Sequence, residues 1–156
     1  MSIEEYSLSF DGEMLKRGFW LQVWAIHFNG QQYIYINQSG DGSWPNAPSP
    51  ISGLSQHFDT SKHAPKNSLA SCLHSAEINP QGSYFRMIAL GPIFEEQLTI
   101  HKHEPLRDQM HTLAFEVAAY LKWRGFEVLG QYQKCASVRE VLFEAIKSKV
   151  IAWLSE

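Results

Sequence analysis

The sequence predicts an α+β fold: a small three-stranded antiparallel sheet flanked by helices, with one further helix near the C-terminal end. Three observations predict it. Two runs rich in aromatic and β-branched residues, 19–28 and 31–37, are separated by Asn29-Gly30, and an Asn-Gly pair between such runs is the strongest short-range hairpin signal. Leu106, Met110, Leu113, Val117 and Leu121 recur at the spacing of one face of a long helix. A second amphipathic run closes the chain.

The elements follow in order. FWLQVWAIHF forms the first strand and QQYIYIN the second. Residues 38–50 hold three prolines and two glycines and form a loop. A short helix is expected at 51–58 and another at 66–76, with Asn67 or Ser68 as its cap. Residues 83–90, SYFRMIAL, form a third strand that Gly91-Pro92 stops, and 93–104 are expected to be irregular. The long helix covers 105–124, with Pro105 in its first turn and Gly125 past its end. Residues 126–129 read as a short extended segment. Ser137 and Glu140 have capping-box spacing and open a last helix, 137–154, whose face is Val138, Leu142, Ala145, Ile146, Lys149 and Trp153.

At 156 residues the chain has the length of one domain, since domains run to roughly 100–200 residues. The domain is expected to cover 1–156. A content of 44% hydrophobic and 19% charged residues excludes a disordered chain. No apolar run approaches the ~18 residues of a membrane span. The net charge of −3 argues against bulk attraction to nucleic acid. Its distribution is uneven: residues 1–13 carry −4, 14–94 carry +2 and 95–156 carry −1. The acidic N-terminus has no apolar stretch of the secretory kind, and Cys72 and Cys135 make neither a disulfide framework nor a zinc spacing. A soluble cytoplasmic protein with reduced thiols and no membrane partner is therefore expected.

The hairpin, the loop after it and the next helix resemble the GIY-YIG nuclease domain. That family carries Gly-Ile/Val-Tyr on its first strand and Tyr-Ile/Val-Gly on its second. Here those places hold Gln22-Val23-Trp24 and Tyr35-Ile36-Asn37. Gln38-Ser39-Gly40-Asp41, then Pro45-Asn46-Ala47 and Ser49-Pro50 running on to Gln56-His57, are similar to a bacterial branch of the family. Pro105-Leu106-Arg107-Asp108 and Gly125-Phe126-Glu127-Val128-Leu129 fit its second half, so the resemblance spans 14–130. The 46–57 stretch is its most specific part.

The resemblance implies a site built from two tyrosines, a glycine, an arginine, a histidine, a metal-binding glutamate and an asparagine. Tyr35 and His57 keep two of these. Trp24 takes the first tyrosine's place, Asn37 the glycine's, Gly53 the arginine's, Ala114 the glutamate's and Gly130 the asparagine's. In the family a tyrosine-activated water attacks a phosphodiester, a divalent metal polarises the phosphate and the arginine stabilises the developing charge. Mg²⁺ prefers hard oxygen ligands, and loss of one preorganised charge-stabilising donor alone costs about 10²–10³ in rate. Glu116 lies two residues beyond Ala114, about 200° around a helix, and faces away. Arg86 and Asp41 are the remaining charges that could serve.

The expectation is thus a degenerate nuclease-like domain that no longer cleaves and acts by binding nucleic acid, through its mildly positive middle, or a protein. No cofactor is expected. One alternative is an active DNA endonuclease with a rearranged site, using Mg²⁺ or Mn²⁺. Another is a protein-interaction or inhibitory module that uses the acidic N-terminus and the last helix, where Lys149 and Trp153 would suit a dimer seam. Whether the chain self-associates is not written in the sequence.

Other residues attract attention and have plainer readings beside them. His101-x-His103-Glu104 has chelate spacing in an extended chain. Cys72 with His74 or His57 has the composition of a thiol site, yet a buried helix-facing cysteine is commoner. Phe19, Trp20 and Trp44 are able to stack on bases, yet core packing is the usual use of aromatics.

Overall fold

The hairpin sets the frame. β1 (Phe19–Phe28) and β2 (Gln31–Gln38) pair antiparallel from Leu21↔Gln38 to Phe28↔Gln31. Asn29 (φ 49°) and Gly30 (φ 77°) both take the left-handed conformation that a tight two-residue hairpin turn requires. The computed structural model describes residues 1–59 and 68–156.

β3 (Tyr84–Phe94) pairs antiparallel with the other side of β1, and β4 (Glu127–Leu129) pairs parallel with β2. The sheet is therefore four-stranded and mixed, in the order β3-β1-β2-β4, which corrects the expected three-stranded antiparallel sheet. A long helix lies between β2 and β4 in sequence and returns the chain so that β4 runs alongside β2. There β4 satisfies the backbone groups of an otherwise open strand edge. β3 also runs past Gly91-Pro92 instead of stopping at it, because it is an edge strand whose ladder with β1 shifts register there, between Leu21↔Leu90 and Phe19↔Phe94.

Among the described residues four α-helices accompany the sheet. α1 (Leu54–His57) is a single turn, shorter than expected. α2 (Leu69–Ser75) is capped by Ser68, whose hydroxyl accepts from Ser71 N at 3.2 Å. Residues 66 and 67 of that expected helix, with the alternative cap Asn67, lie outside the described residues. α3 (Ile100–Trp123) starts before Pro105, over a stretch expected to be irregular. His103 in that added turn is fully buried with its ring 5.1 Å from Phe19, so tertiary packing overrides the local signal.

α4 (Glu140–Leu154) has Arg139 at its N-cap with no side-chain bond, so the Ser137 capping box is not formed. Thr112 Oγ1 instead pins the approach to the helix, accepting from Cys135 N and Ala136 N at 2.9 Å each. The apolar face of α4 is rotated from the expected one. Ile146 and Val150 are buried while Ala145 and Lys149 point outward. Trp153 packs on the chain's own Arg86, whose guanidinium lies 4.7 Å from its ring.

Side chains alternate across the sheet. Phe19, Leu21, Val23 and Ala25 point to one face, where α3 and α4 complete a large apolar core. Trp24, Ile26 and Tyr35 point to the other and form a smaller cluster with Leu69 and Leu73 of α2. No helix among the described residues is long and apolar enough to cross a membrane.

Candidate functional site

A cleft of about 890 Å³ opens at the carboxyl ends of the parallel strands β2 and β4, between α2 and α3. Tyr35, Asn37, Ala114 and Gly130 line it together. Trp24 and His57 reach it through Asn37. Gly53 stands at the start of α1, four residues before His57.

Three of the positions that the resemblance singles out are bonded to one another. Trp24 lies opposite Tyr35 across the hairpin, and its indole Nε1 donates to Asn37 Oδ1 at 3.0 Å. Asn37 Nδ2 lies 3.1 Å from His57 Nε2. An indole N–H only donates, so Asn37 turns its oxygen to Trp24 and its NH₂ to His57. The NH₂ also only donates, so His57 Nε2 accepts and the imidazole is neutral, with its proton on Nδ1. Burial acts the same way: it holds His57 below its ordinary 6.5, outweighing the Asp41 carboxylate. The buried Nδ1 has no partner among the described residues.

Tyr35 is 5% exposed. Burial first, then the Cys72, Tyr132 and Asp41 groups, pushes its phenol well above the ordinary range. A phenol held protonated in this way is poorly suited to take a proton from water.

The far wall is built around Tyr132. Its hydroxyl donates to Leu129 O at 2.7 Å and accepts from Ile36 N at 3.0 Å, which extends the β2–β4 ladder beyond its last strand pair. Gly130 (φ +91°) makes the turn that brings Tyr132 back, and a Cβ there would stand 3.2 Å from the Tyr132 hydroxyl oxygen. The asparagine that the resemblance implies at this position is crowded out by Tyr132. Ala114 is buried, while Glu116 is ion-paired with Lys134 at 3.1 Å and does not line the cleft, as the helical rotation requires.

Among the described residues no Lys or Arg lines this cleft, and Asp41 supplies its one carboxylate. The His111 imidazole on α3 is held below its ordinary value, chiefly by burial. Arg86 pairs with Ala25 on the α3/α4 face and donates to Trp153 O at 3.3 Å, so it sits on the wrong side of the sheet to serve the site. Among the described residues Asp41 is the one charged oxygen donor of this cleft, the others being neutral amides and hydroxyls, and a single carboxylate is a poor fit for the ion that the resemblance implies. No group of three or more His, Cys, Asp or Glu that could hold a metal is gathered among the described residues.

The other expectations sort by geometry. His101 and His103 lie on a helix, where residues two apart face different ways: His101 is exposed and His103 buried, so the chelate is not formed. Cys72 is half-buried and lines the cleft, and burial raises its thiol. Phe19 and Trp20 are core residues, whereas Trp44 is 77% exposed. Tyr132 and His111 were missed. The signal for Tyr132 was a tyrosine two residues past a glycine that ends a strand; His111 showed none.

The motif stretch 46–57 begins in a clamp. Arg17 donates from Nε and Nη2 to the two Glu96 oxygens at 2.8 and 2.7 Å, and from Nη2 to Asn46 Oδ1 at 2.7 Å. Glu96 also accepts from Ala47 N at 2.7 Å, and its carboxyl is held below the ordinary range, chiefly by Arg17. Comparison of the chain with protein-family models, curated proteins and solved structures finds no match.

Proposed function

We propose that the chain is a GIY-YIG-like domain whose catalytic groups have been replaced, and that it works by binding a partner in the cleft at the ends of β2 and β4. The observation that carries this reading is the joint position of Tyr35, Asn37, Ala114 and Gly130 on one cleft that, among the described residues, is lined by no lysine or arginine and by a single carboxylate. The replacements are bonded into a network: Trp24 to Asn37, Asn37 to His57, and Tyr132 beside Gly130. Such a network maintains a shaped cleft while removing what phosphodiester cleavage needs. No metal cofactor enters this reading.

The partner is a protein rather than nucleic acid. Nucleic-acid binding draws on lysines and arginines that neutralise phosphates. In the mildly positive middle of the chain every described cation meets an acid: Lys16 with Glu13, Arg17 with Glu96 and Arg86 with Glu156.

Supercoiled plasmid and a short duplex, incubated with the purified protein with and without Mg²⁺ or Mn²⁺, test this. Neither nicking nor a salt-sensitive gel shift is expected. Metal-dependent nicking that disappears in Tyr35→Phe would overturn the reading in favour of an endonuclease. A gel shift without nicking would keep the inactive domain and change its partner to nucleic acid.

A further inference from the structure

We propose that the surface around Asp41 docks a basic peptide segment of a protein partner, setting a lysine or arginine side chain between the Asp41 carboxylate and the Trp44 indole. This rests on the cleft being a binding site and names the chemistry of its ligand.

Two hollows meet at Asp41. One is the cleft already described. The other, about 490 Å³, lies against the 41–48 loop, where Asp41 lines it beside Trp44, Asn46 and Gln56. Among the described residues neither hollow is lined by a lysine or arginine, and Asp41 is the one carboxylate of both. Their shared charge therefore selects a cation. Trp44 stands 77% exposed next to it, while Trp20 and Trp24 are each 4% exposed. An open indole beside a carboxylate offers a cation both the ring face and the charge, and guanidinium groups use both.

The loop is held ready for a ligand. At one end Ser39 Oγ accepts from Trp20 N at 2.8 Å and donates to Gly18 O at 2.7 Å. At the other end the Arg17–Glu96 clamp holds Asn46 and Ala47. A loop ordered before binding loses less entropy when the ligand arrives. The larger cleft adds side-chain amides at Asn37, Gln38, Gln131 and Gln133. Amides carry both donors and acceptors and suit a peptide backbone, whereas a phosphodiester would meet no lysine or arginine among the described residues. Among the described residues Asp41 is the one carboxylate and no metal-holding group gathers, which favours an organic cation over Mg²⁺ or Ca²⁺.

The test uses the ¹⁵N-labelled full chain titrated with a tetra-arginine peptide amide, with a tetra-glutamate peptide as control. Tetra-arginine is expected to shift the Trp44 indole N–H and the amides of 40–43, and tetra-glutamate is not. Asp41→Asn and Trp44→Ala, both at exposed positions, should each weaken binding roughly tenfold while leaving the Trp24 indole signal in place. Affinity unchanged in Asp41→Asn, or shifts confined to the acidic residues 1–13, would overturn the docking site. The same preparation is given plasmid and Mg²⁺: nicking overturns the inactive-domain reading beneath the proposal, whereas failed peptide binding without nicking overturns the docking site alone.

Discussion

The two faces of the sheet are built on different principles. Under α3 and α4 the contact is apolar throughout its centre: Leu21, Val23, Met110, Leu113 and Leu121 are fully buried. Under α2 the apolar cluster is smaller and is bordered by the Trp24–Asn37–His57 chain of hydrogen bonds. The first face derives its stability chiefly from apolar area removed from water. The second face holds groups in defined orientations next to a cleft. The larger apolar cluster lies on one side of the sheet and the bonded polar network on the other.

The strongest way to break that comparison is to cut into the apolar face. Leu113→Ala, at a position with no exposure, is expected to lose about 2–5 kcal/mol in urea unfolding. A loss below about 1 kcal/mol would mean that α3 does not carry the fold.

Trp24→Phe tests the polar face. It leaves the Asn37 oxygen without its donor, at a cost of about 1–3 kcal/mol, and it frees the Asn37 amide to turn over. The readout specific to the network is His57. Its ring nitrogens should report a neutral Nδ1–H form in the parent chain and lose that preference in the variant, as read from ¹⁵N shifts. An unchanged His57 would show that the network does not set its tautomer.

That network also explains what the sequence alone revealed and what it hid. The hairpin was plain because an Asn-Gly turn and a two-residue alternation are local signals. β4 was visible as an extended segment, but three residues carry no sign of direction, and its parallel pairing depends on where α3 returns the chain. His103 showed only a chelate-like spacing with His101, because its burial under Phe19 depends on the packing of the helix against the sheet. Trp24 and Asn37, taken one at a time, each looked like the loss of a family residue. Only the register that sets Trp24 opposite Tyr35, two residues before Asn37, reveals them as partners.

pH sharpens the comparison, because both depressed imidazoles, His57 and His111, border the cleft and not the apolar core. The unfolded chain takes up protons as pH falls through about 6.5, and the folded chain resists. Stability should therefore fall as pH drops below about 6.5 and level off beneath the folded values. Asn37→Asp replaces the donor facing His57 with a carboxylate oxygen. The imidazole then becomes the donor and its pKa rises. A raised folded value reverses the sign: that contribution is present below the unfolded pKa and lost as pH rises through the folded one. Melting temperatures from pH 5.5 to 7.5 should thus slope less steeply upward in Asn37→Asp than in the parent. Parallel profiles would remove His57 from the pH response.

The smallest expected effect separates two glycines that stand where the resemblance implies side chains. Gly130 cannot accept one without displacing Tyr132, since its Cβ would lie 3.2 Å from the hydroxyl oxygen at φ +91°. Gly53 has ordinary helical angles (φ −87°, ψ −8°), and a Cβ there would meet only Pro50 O, at 4.0 Å. Gly53→Arg is therefore expected to change stability by no more than about 0.5 kcal/mol, as at an unconstrained surface position. It should still give no nicking with Mg²⁺ or Mn²⁺, because an added guanidinium does not supply the metal-binding carboxylate that the resemblance implies where Ala114 stands. A Gly53→Arg protein that cleaves plasmid would show that the arginine was the one group the site lacked, and that a metal can be held there without a family glutamate. A protein that stays inactive but gains a salt-sensitive shift with duplex would show that the cleft still admits a phosphate backbone once a positive charge is provided. The charge of the cleft, and not its shape, would then be what decides whether it takes nucleic acid.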